Sequence, residues 1–142
     1  MEKGFREVVK GTDTCFVSTG YMTHKSLRIA QELKGMGTDA GVVDVFLLKP
    51  FDDGLLCETL KRYRRLVTIE EAFTAGGGLG SLVLDAMAAN GLSLPLHKLG
   101  LADKYSFKIG DREFLHSEHG LSWEEIIRLV RKNTLHREDS AI

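Results

Sequence analysis

The chain has 142 residues, of which 43% are hydrophobic and 27% charged, the balance of one soluble globular domain with a real core. Its formal net charge of −1 excludes a strong overall attraction to nucleic acid or to an anionic membrane. No apolar run approaches the roughly 20 residues of a membrane span, and the first ten residues lack the apolar centre of a signal peptide. We therefore expect a cytoplasmic protein that binds neither membrane nor nucleic acid.

The first half of the chain predicts three strands and two helices. The strands are continuous apolar runs or short edge segments, and they lie at Glu7–Lys10, Thr14–Thr19 and Gly41–Leu47. Thr23 is the predicted N-cap of a helix that runs to about Lys34. Asp52 or Asp53 is the predicted cap of a second helix near Gly54–Arg62. The side chains expected to face inward are Leu27, Ile29, Ala30 and Leu33 on the first helix, and Leu55, Leu56 and Leu60 on the second.

The second half predicts two more strands and three helices. The strands are expected at Leu66–Glu70 and Leu94–Leu99, separated by a glycine loop and an apolar helix that ends at Asn90–Gly91. Asp111 caps a short helix closed by Gly120. Ser122 and Glu125 form a capping box for a last helix from Trp123 to about Lys132. The tail is predicted to be frayed from about residue 134.

This alternation of apolar strands with helices favours a parallel sheet with helices on both faces. The sequence contains no internal repeat, low-complexity tract or evident linker, so residues 1–142 are expected to form a single domain. Cys15 and Cys57 lie in apolar or amphipathic surroundings, which predicts two buried reduced thiols.

The glycine loop after the third buried strand is the first candidate site. Strand, glycine turn and helix can direct backbone amides at an anion, so Gly76, Gly77, Gly78 and Gly80 are candidates for holding a phosphate. The alternative is that these glycines permit close packing, and the neighbouring carboxylates of Glu70 and Glu71 would repel an anion. Glu70 is expected to accept hydrogen bonds from loop amides or to pair with a cation from a partner.

The helix after this loop is apolar nearly all round, which requires cover on two sides. We expect one side to lie on the sheet and the other on a second subunit, with roofing by the chain's own C-terminal helix as the alternative. The residues expected at this dimer interface are Leu79, Leu82, Val83, Ala86 and Met87.

His116 and His119 have a spacing that can chelate a metal, but no third ligand is evident, so a solvated pair is expected. The basic run from Lys61 to Arg65 is interpreted as a solvated helix end and not as a nucleic-acid patch.

At this point the residues resemble a family. The segments Val43–Asp52 (VDVFLLKPFD), Leu66–Gly80 (LVTIEEAFTAGGGLG), Leu99–Tyr105 (LGLADKY) and Gly110–Leu121 are similar to the C-terminal domain of the transketolase family. That family includes transketolase, deoxyxylulose-phosphate synthase and the beta subunits of pyruvate-type dehydrogenases. The similarity covers roughly residues 3–132.

The resemblance implies a fold and, from it, a crevice. The fold is a three-layer α/β/α sandwich whose five-stranded mixed sheet has the order 1-3-2-4-5, with the first strand antiparallel. In that order the strand at Thr14–Thr19 is central, and the loops after it and after Leu66–Glu70 meet at a topological switch point. The residues expected to line a possible anion or ligand crevice there are Gly20, Thr23, His24, Glu70, Gly76, Gly77 and Gly78. His24 is interpreted as a surface or capping-turn histidine, with anion binding or proton relay as the alternative.

The resemblance also implies a function. Family enzymes use thiamine diphosphate and a divalent metal. One domain holds the diphosphate and the metal, a second holds the aminopyrimidine, and the C-terminal domain has no established direct part in the chemical step. We therefore expect no catalytic residue, no metal site and no cofactor bound by this chain alone. The expected role is an assembly or dimerisation module of a transketolase-type transferase, and the chain alone is expected to be inactive. Its expected partners are a second copy of itself, an N-terminal transketolase subunit, or both. The alternatives are a stand-alone anion- or nucleotide-binding α/β domain and a regulatory scaffold subunit.

Overall fold

The computed structural model of the chain describes residues 3–140, with side chains described from residue 3 to residue 133. It comprises two compact units, one up to Asp103 and one from Lys104 onward. That all 142 residues behave as a single domain stays a prediction.

The first unit contains eight elements in alternating order. They are β1 (Phe5–Val9), β2 (Thr14–Ser18), α1 (Tyr21–Gly35), β3 (Ala40–Val45), α2 (Asp53–Leu60), β4 (Arg65–Phe73), α3 (Leu79–Ala89) and β5 (Leu96–Leu101). The second unit contains α4 (Arg112–Glu118) and α5 (Trp123–Ser140). Every strand and helix expected from the sequence is present, although most boundaries shift by one to three residues.

The five strands form one mixed sheet in the order β1-β3-β2-β4-β5. The edge strand β1 pairs antiparallel with β3, whereas β2 pairs in parallel with both β3 and β4. The fourth pair, β4 with β5, is also parallel. The fold and strand order that the resemblance implied are therefore confirmed.

Helices cover both faces of the sheet within the first unit. Cys15 and Val17 of β2 belong to a buried cluster with side chains of α2 and α3, including Leu60 and Val83. Successive strand side chains point to opposite faces, and Ser18 of β2 bonds to a side chain of α1. The helix α1 therefore lies on the face opposite α2 and α3, which gives the three layers.

Three local expectations are wrong. Gly20, and not Thr23, precedes α1 as its N-cap, and Thr23 lies buried inside the helix. Leu55 is 44% exposed instead of facing inward, because α2 begins at Asp53 and turns Leu56, Cys57 and Leu60 to the core. The last helix does not end near Lys132 but continues to Ser140. By contrast, Asp52 caps α2 as expected, accepting a hydrogen bond from the Leu55 amide at 2.8 Å.

The amino-terminal edge of the sheet is held by Tyr63. Its hydroxyl accepts from the Gly11 amide at 3.1 Å and donates to Glu7 Oε1 at 2.9 Å, and Arg62 pairs with the same carboxylate. Burial raises the pKa of Tyr63 to about 12, since a phenolate would lose its hydration there. A Cβ on Gly41 would collide with the Tyr63 hydroxyl, so this strand position requires glycine.

Candidate functional site

The carboxyl edge of the sheet brings together the loop after β2 and the loop after β4, as the switch-point argument predicts. Gly20 has φ 60° and ψ −133°, a backbone conformation that side chains other than glycine rarely adopt. It lets the chain turn sharply from β2 into α1. His24 lies on the first turn of α1 and is exposed, in agreement with its interpretation as a surface histidine.

Thr23 is not a free crevice residue, because its hydroxyl is committed to a buried chain of hydrogen bonds. Ser18 Oγ donates to Thr23 Oγ1 at 3.2 Å, and Thr23 Oγ1 donates to Asp44 Oδ1 at 2.8 Å. The other carboxylate oxygen of Asp44 accepts from Arg6 Nε at 3.2 Å. This network joins α1 to the sheet, and it leaves the only hydroxyl proton of Thr23 unavailable to a ligand.

The sequence interpretation missed Asp44. The signal was present, since Asp44 is the one charged residue in the apolar run from Gly41 to Leu47. It is 6% exposed, and a carboxylate buried to that degree needs hydrogen-bond partners or a counter-charge. Its partners come from 21 and 38 residues away in sequence, which no local pattern reveals.

Glu70 belongs to β4, and its carboxylate lies at the start of α3, in the position that an anion would take. It is 3% exposed, and its carboxylate accepts from the Leu79 amide at 2.5 Å and from the Gly80 amide at 3.3 Å. These are two of the amides at a helix N-terminus that have no partner within the helix. The negative charge also favours the positive end of the helix dipole. Of the two roles expected for Glu70, hydrogen bonding to backbone amides is therefore confirmed.

The glycines of the loop divide into two pairs. A Cβ on Gly78 would lie 2.5 Å from Glu70 Oε2, and one on Gly80 would lie 2.8 Å from Lys98 Cδ and 2.9 Å from Thr68 Oγ1. Gly78 and Gly80 are thus needed for close packing. Gly76 and Gly77 are exposed, and a Cβ on either would meet nothing within 4 Å. Close packing therefore explains the glycines at positions 78 and 80 but not those at positions 76 and 77.

Lys98 of β5 completes the arrangement beside Gly80. Its ammonium donates to Ser81 Oγ at 3.2 Å and to the Thr74 carbonyl at 3.4 Å. The start of α3 is therefore bound to β4 through Glu70 and to β5 through Lys98. The site expected to bind an anion is occupied by side chains of the protein itself.

This arrangement does not fit a diphosphate and its metal ion. A phosphate at the α3 N-terminus would compete with Glu70 for the same amides and would experience its negative charge. Among residues 3–133, no group of three His, Cys, Asp or Glu side chains is placed to hold a metal ion.

The five residues expected at an interface on α3 are mostly inside the first unit. Leu79 and Val83 are fully buried, Ala86 and Met87 are each 4% exposed, and all four belong to the core cluster. Leu82 is only partly buried. Because the core already covers these side chains, a contact of α3 with another chain, which stays a prediction, would use Leu82 and the exposed Leu84, Ala88 and Ala89.

Each of two groups that were expected to be solvated contains a buried residue. His116 is 3% exposed, with Nδ1 at 3.7 Å from Glu113 Oε1, because α4 turns this side chain inward. Arg65 of the basic run is 7% exposed and donates from Nε to Thr14 Oγ1 at 2.7 Å. Burial thus corrects the expectation of a solvated histidine pair and of a fully solvated basic run.

Cys15 and Cys57 are both buried and unpaired, as predicted. Burial raises the pKa of the Cys15 thiol far above its usual value, so this group is held protonated and unreactive. Within the part of the chain that the structure describes, no helix has both the length and the apolar character to cross a bilayer.

Comparison with known proteins identifies the fold family. The family model "Transketolase, C-terminal domain" matches residues 4–126. The chain is 36% identical over 131 residues to 1-deoxy-D-xylulose-5-phosphate synthase of Gloeobacter violaceus, covering 92% of this chain and 20% of that enzyme. It is 32% identical over 125 residues to a 6-deoxy-6-sulfo-D-fructose transketolase subunit of Clostridium sp. (strain MSTE9), covering 88% and 38%.

A solved structure described as a split gene transketolase, inactive beta4 tetramer, superposes with a TM-score of 0.78 at 33% identity. The match covers 93% of this chain and 42% of the other. The chain therefore spans about a fifth to two fifths of the length of these relatives. The strand order, the loop at the carboxyl edge and these matches together establish that the chain belongs to the transketolase C-terminal domain family.

Proposed function

We propose that this chain is the C-terminal module of a thiamine-diphosphate-dependent, transketolase-type enzyme and acts together with a polypeptide that carries the diphosphate- and pyrimidine-binding domains. Its role in this proposal is assembly and the shaping of the enzyme, and the chain supplies no group to the chemical step. The proposed location is the cytoplasm.

The proposal rests on the observation that polar side chains at the carboxyl edge of the sheet are already hydrogen-bonded within the chain. Sheets of this kind usually bind ligands at the switch point. Here the Glu70 carboxylate already accepts a hydrogen bond from an amide of α3, and the Thr23 hydroxyl already donates one to Asp44. An edge whose carboxylate and hydroxyl groups at these two positions are already bonded is suited to a structural role. The same observation counts against the alternative of a stand-alone anion- or nucleotide-binding domain.

The relatives support the need for further polypeptide. Two of them are named as a subunit and as a split gene product, and in both the matched region is about two fifths of the chain. Division of the enzyme between chains is therefore known among proteins similar to this one. A homodimer of this chain, through the exposed residues of α3 or elsewhere, is a separate part of the proposal.

The test is reconstitution. The 142-residue chain is purified alone and together with the polypeptide from the same genome that carries the diphosphate- and pyrimidine-binding domains. Ketol transfer is then assayed with thiamine diphosphate and Mg²⁺. We expect no activity from the chain alone, a stable complex with the second polypeptide, and activity that depends on both. Activity of the chain alone, or no complex at micromolar concentrations, would contradict the proposal.

A further inference from the structure

The segment from Lys104 to Gly110, at the start of the second unit, exposes an unusual amount of apolar surface. Tyr105 is 89% exposed, Phe107 is 91% exposed and Ile109 is 99% exposed. The segment contains no helix or strand and takes part in none of the described strand pairs. Single exposed apolar residues are ordinary, but three large ones in five consecutive positions indicate an interaction surface.

The spacing of these residues is that of a strand with one apolar side. Ser106 and Lys108 occupy the intervening positions and Lys104 precedes them, so apolar and polar residues alternate along the segment. In an extended conformation the three apolar side chains would point the same way. A segment of this kind can add to a sheet edge or lie in an apolar groove of another polypeptide.

A cavity of about 220 Å³ lies beside the segment, between it and the end of α4. Lys104, Lys108, Glu118 and His119 contribute to its lining, and Lys108 is paired with Glu118. The remaining lysine gives the cavity a surplus positive charge. His119 Nδ1 is buried and has no hydrogen-bond partner among the described residues. Buried polar atoms ordinarily have a hydrogen-bond partner, so this ring nitrogen can bond to a group that enters the cavity.

The size of the exposed surface fits a polypeptide better than a small ligand. A large aromatic side chain buries about 150–250 Å², so Tyr105 and Phe107 alone offer about 300–500 Å². That is a large part of the roughly 800 Å² that each partner contributes to a standard interface. A second copy of this chain fits less well. It would bring its own surplus lysine to the same place, and like charges facing each other oppose association.

We propose that the segment Tyr105–Ile109 is the docking strand for the transketolase-type polypeptide that carries the rest of the enzyme, which covers its apolar side and places a carboxylate in the cavity against Lys104 and His119. This inference rests on the proposed function and adds the surface through which the two chains meet.

The main test compares two sets of substitutions at exposed positions. The triple variant Tyr105→Ser, Phe107→Ser, Ile109→Ser removes the apolar side of the segment. The control variant Met36→Ser, Leu48→Ser removes side chains that are 48% and 45% exposed in the other unit. Calorimetric titration against the second polypeptide should show at least about a hundredfold weaker binding for the triple variant, since central apolar anchors dominate interface energies. The control should bind within about threefold of the original chain.

The charge of the cavity is tested separately. Lys104→Glu should weaken the complex by about tenfold, because the new carboxylate repels the one proposed to enter the cavity. Lys132→Glu changes an exposed lysine of α5 and serves as the control, with binding unchanged. Equal effects of the two substitutions would overturn the carboxylate part of the proposal.

The outcomes separate the two levels of the argument. If the original chain does not bind the second polypeptide, the proposed function fails and the docking surface fails with it. If the original chain and the triple variant bind equally, the docking surface alone is overturned. If the triple variant abolishes a homodimer while the second polypeptide still binds, a second copy occupies the segment and the proposal is wrong.

Hydrogen exchange covers the case in which the triple variant does not fold. In the unaltered chain, the amides of residues 105–109 should exchange at least about tenfold more slowly in the complex than in the free chain. Unchanged exchange in a complex that has formed would overturn the proposal.

Discussion

The segments that follow β4 and β5 differ in how they treat their own surface. After β4, the chain closes on itself, because Glu70 caps α3 and Lys98 donates to Ser81 of α3 and to the Thr74 carbonyl of the loop. The segment that follows β5 and begins the second unit leaves Tyr105, Phe107 and Ile109 in solvent. In the first segment, polar groups are hydrogen-bonded within the chain. In the second, large apolar side chains are exposed to solvent. The comparison teaches that a switch point, where open α/β sheets usually bind ligands, can be filled by side chains of the chain itself.

The largest effect is expected from removing Glu70, the residue that caps α3. Glu70→Ala leaves the Leu79 and Gly80 amides unpaired and buried, so we expect a loss of about 2–4 kcal/mol in the free energy of unfolding. Urea denaturation measures this loss. Asp85→Ala, at an exposed position of the same helix, is the control and should change stability by less than about 0.5 kcal/mol. Equal stability of the two variants would mean that Glu70 does not hold α3.

A second substitution pair tests the division of the glycines. Gly78→Ala forces a methyl group towards Glu70 Oε2 at 2.5 Å, and we expect a loss of about 1–3 kcal/mol. Gly76→Ala meets nothing within 4 Å, and we expect stability to be unchanged or raised by up to about 1 kcal/mol, since alanine restricts the unfolded chain. Thermal unfolding of both variants decides the matter, and equal losses would refute close packing as the reason for Gly78.

A third substitution tests the other side of the carboxyl edge. Thr23→Val keeps the shape of the side chain but removes the hydroxyl that donates to Asp44. We expect a loss of about 1–2 kcal/mol, because Asp44 stays buried with one fewer donor. The measurement is urea denaturation. An unchanged midpoint would show that Arg6 and other groups suffice to satisfy Asp44.

The smallest effect is expected in the exposed segment. The triple serine variant at Tyr105, Phe107 and Ile109 should change the stability of the free chain by less than about 0.5 kcal/mol, since these side chains are 89–99% exposed. Circular dichroism during heating checks this. A large loss would show that the segment contributes to folding, and the contrast with the α3 loop would disappear.

The sequence predicted the architecture well because strand order follows from the resemblance, and the apolar runs of β2, β3 and β4 are buried almost throughout. Glu70 was also assigned one correct role, since a carboxylate between a strand and a glycine loop has few other partners. These predictions depend on patterns within about ten consecutive residues or on the family as a whole.

The failures arose where local and distant signals conflict. Thr23 has the residue type of a helix cap, but Gly20 begins the helix and the threonine bonds to Asp44, 21 residues later. His116 has the spacing of a solvated pair, yet the rotation of α4 buries it. Nothing in the alternation of residues 104–109 distinguishes a covered strand from an exposed one, so the exposed segment was not foreseen.

The way α3 is anchored has a consequence for engineering. Glu70 and Lys98, which belong to the sheet, hold the start of α3. The position of the helix therefore does not depend on the exposed turn at Gly76 and Gly77. A short epitope or a fluorophore-labelled cysteine inserted between these two glycines should therefore be accommodated without shifting the helix. This turn is therefore a suitable position for attaching a reporter to the first unit.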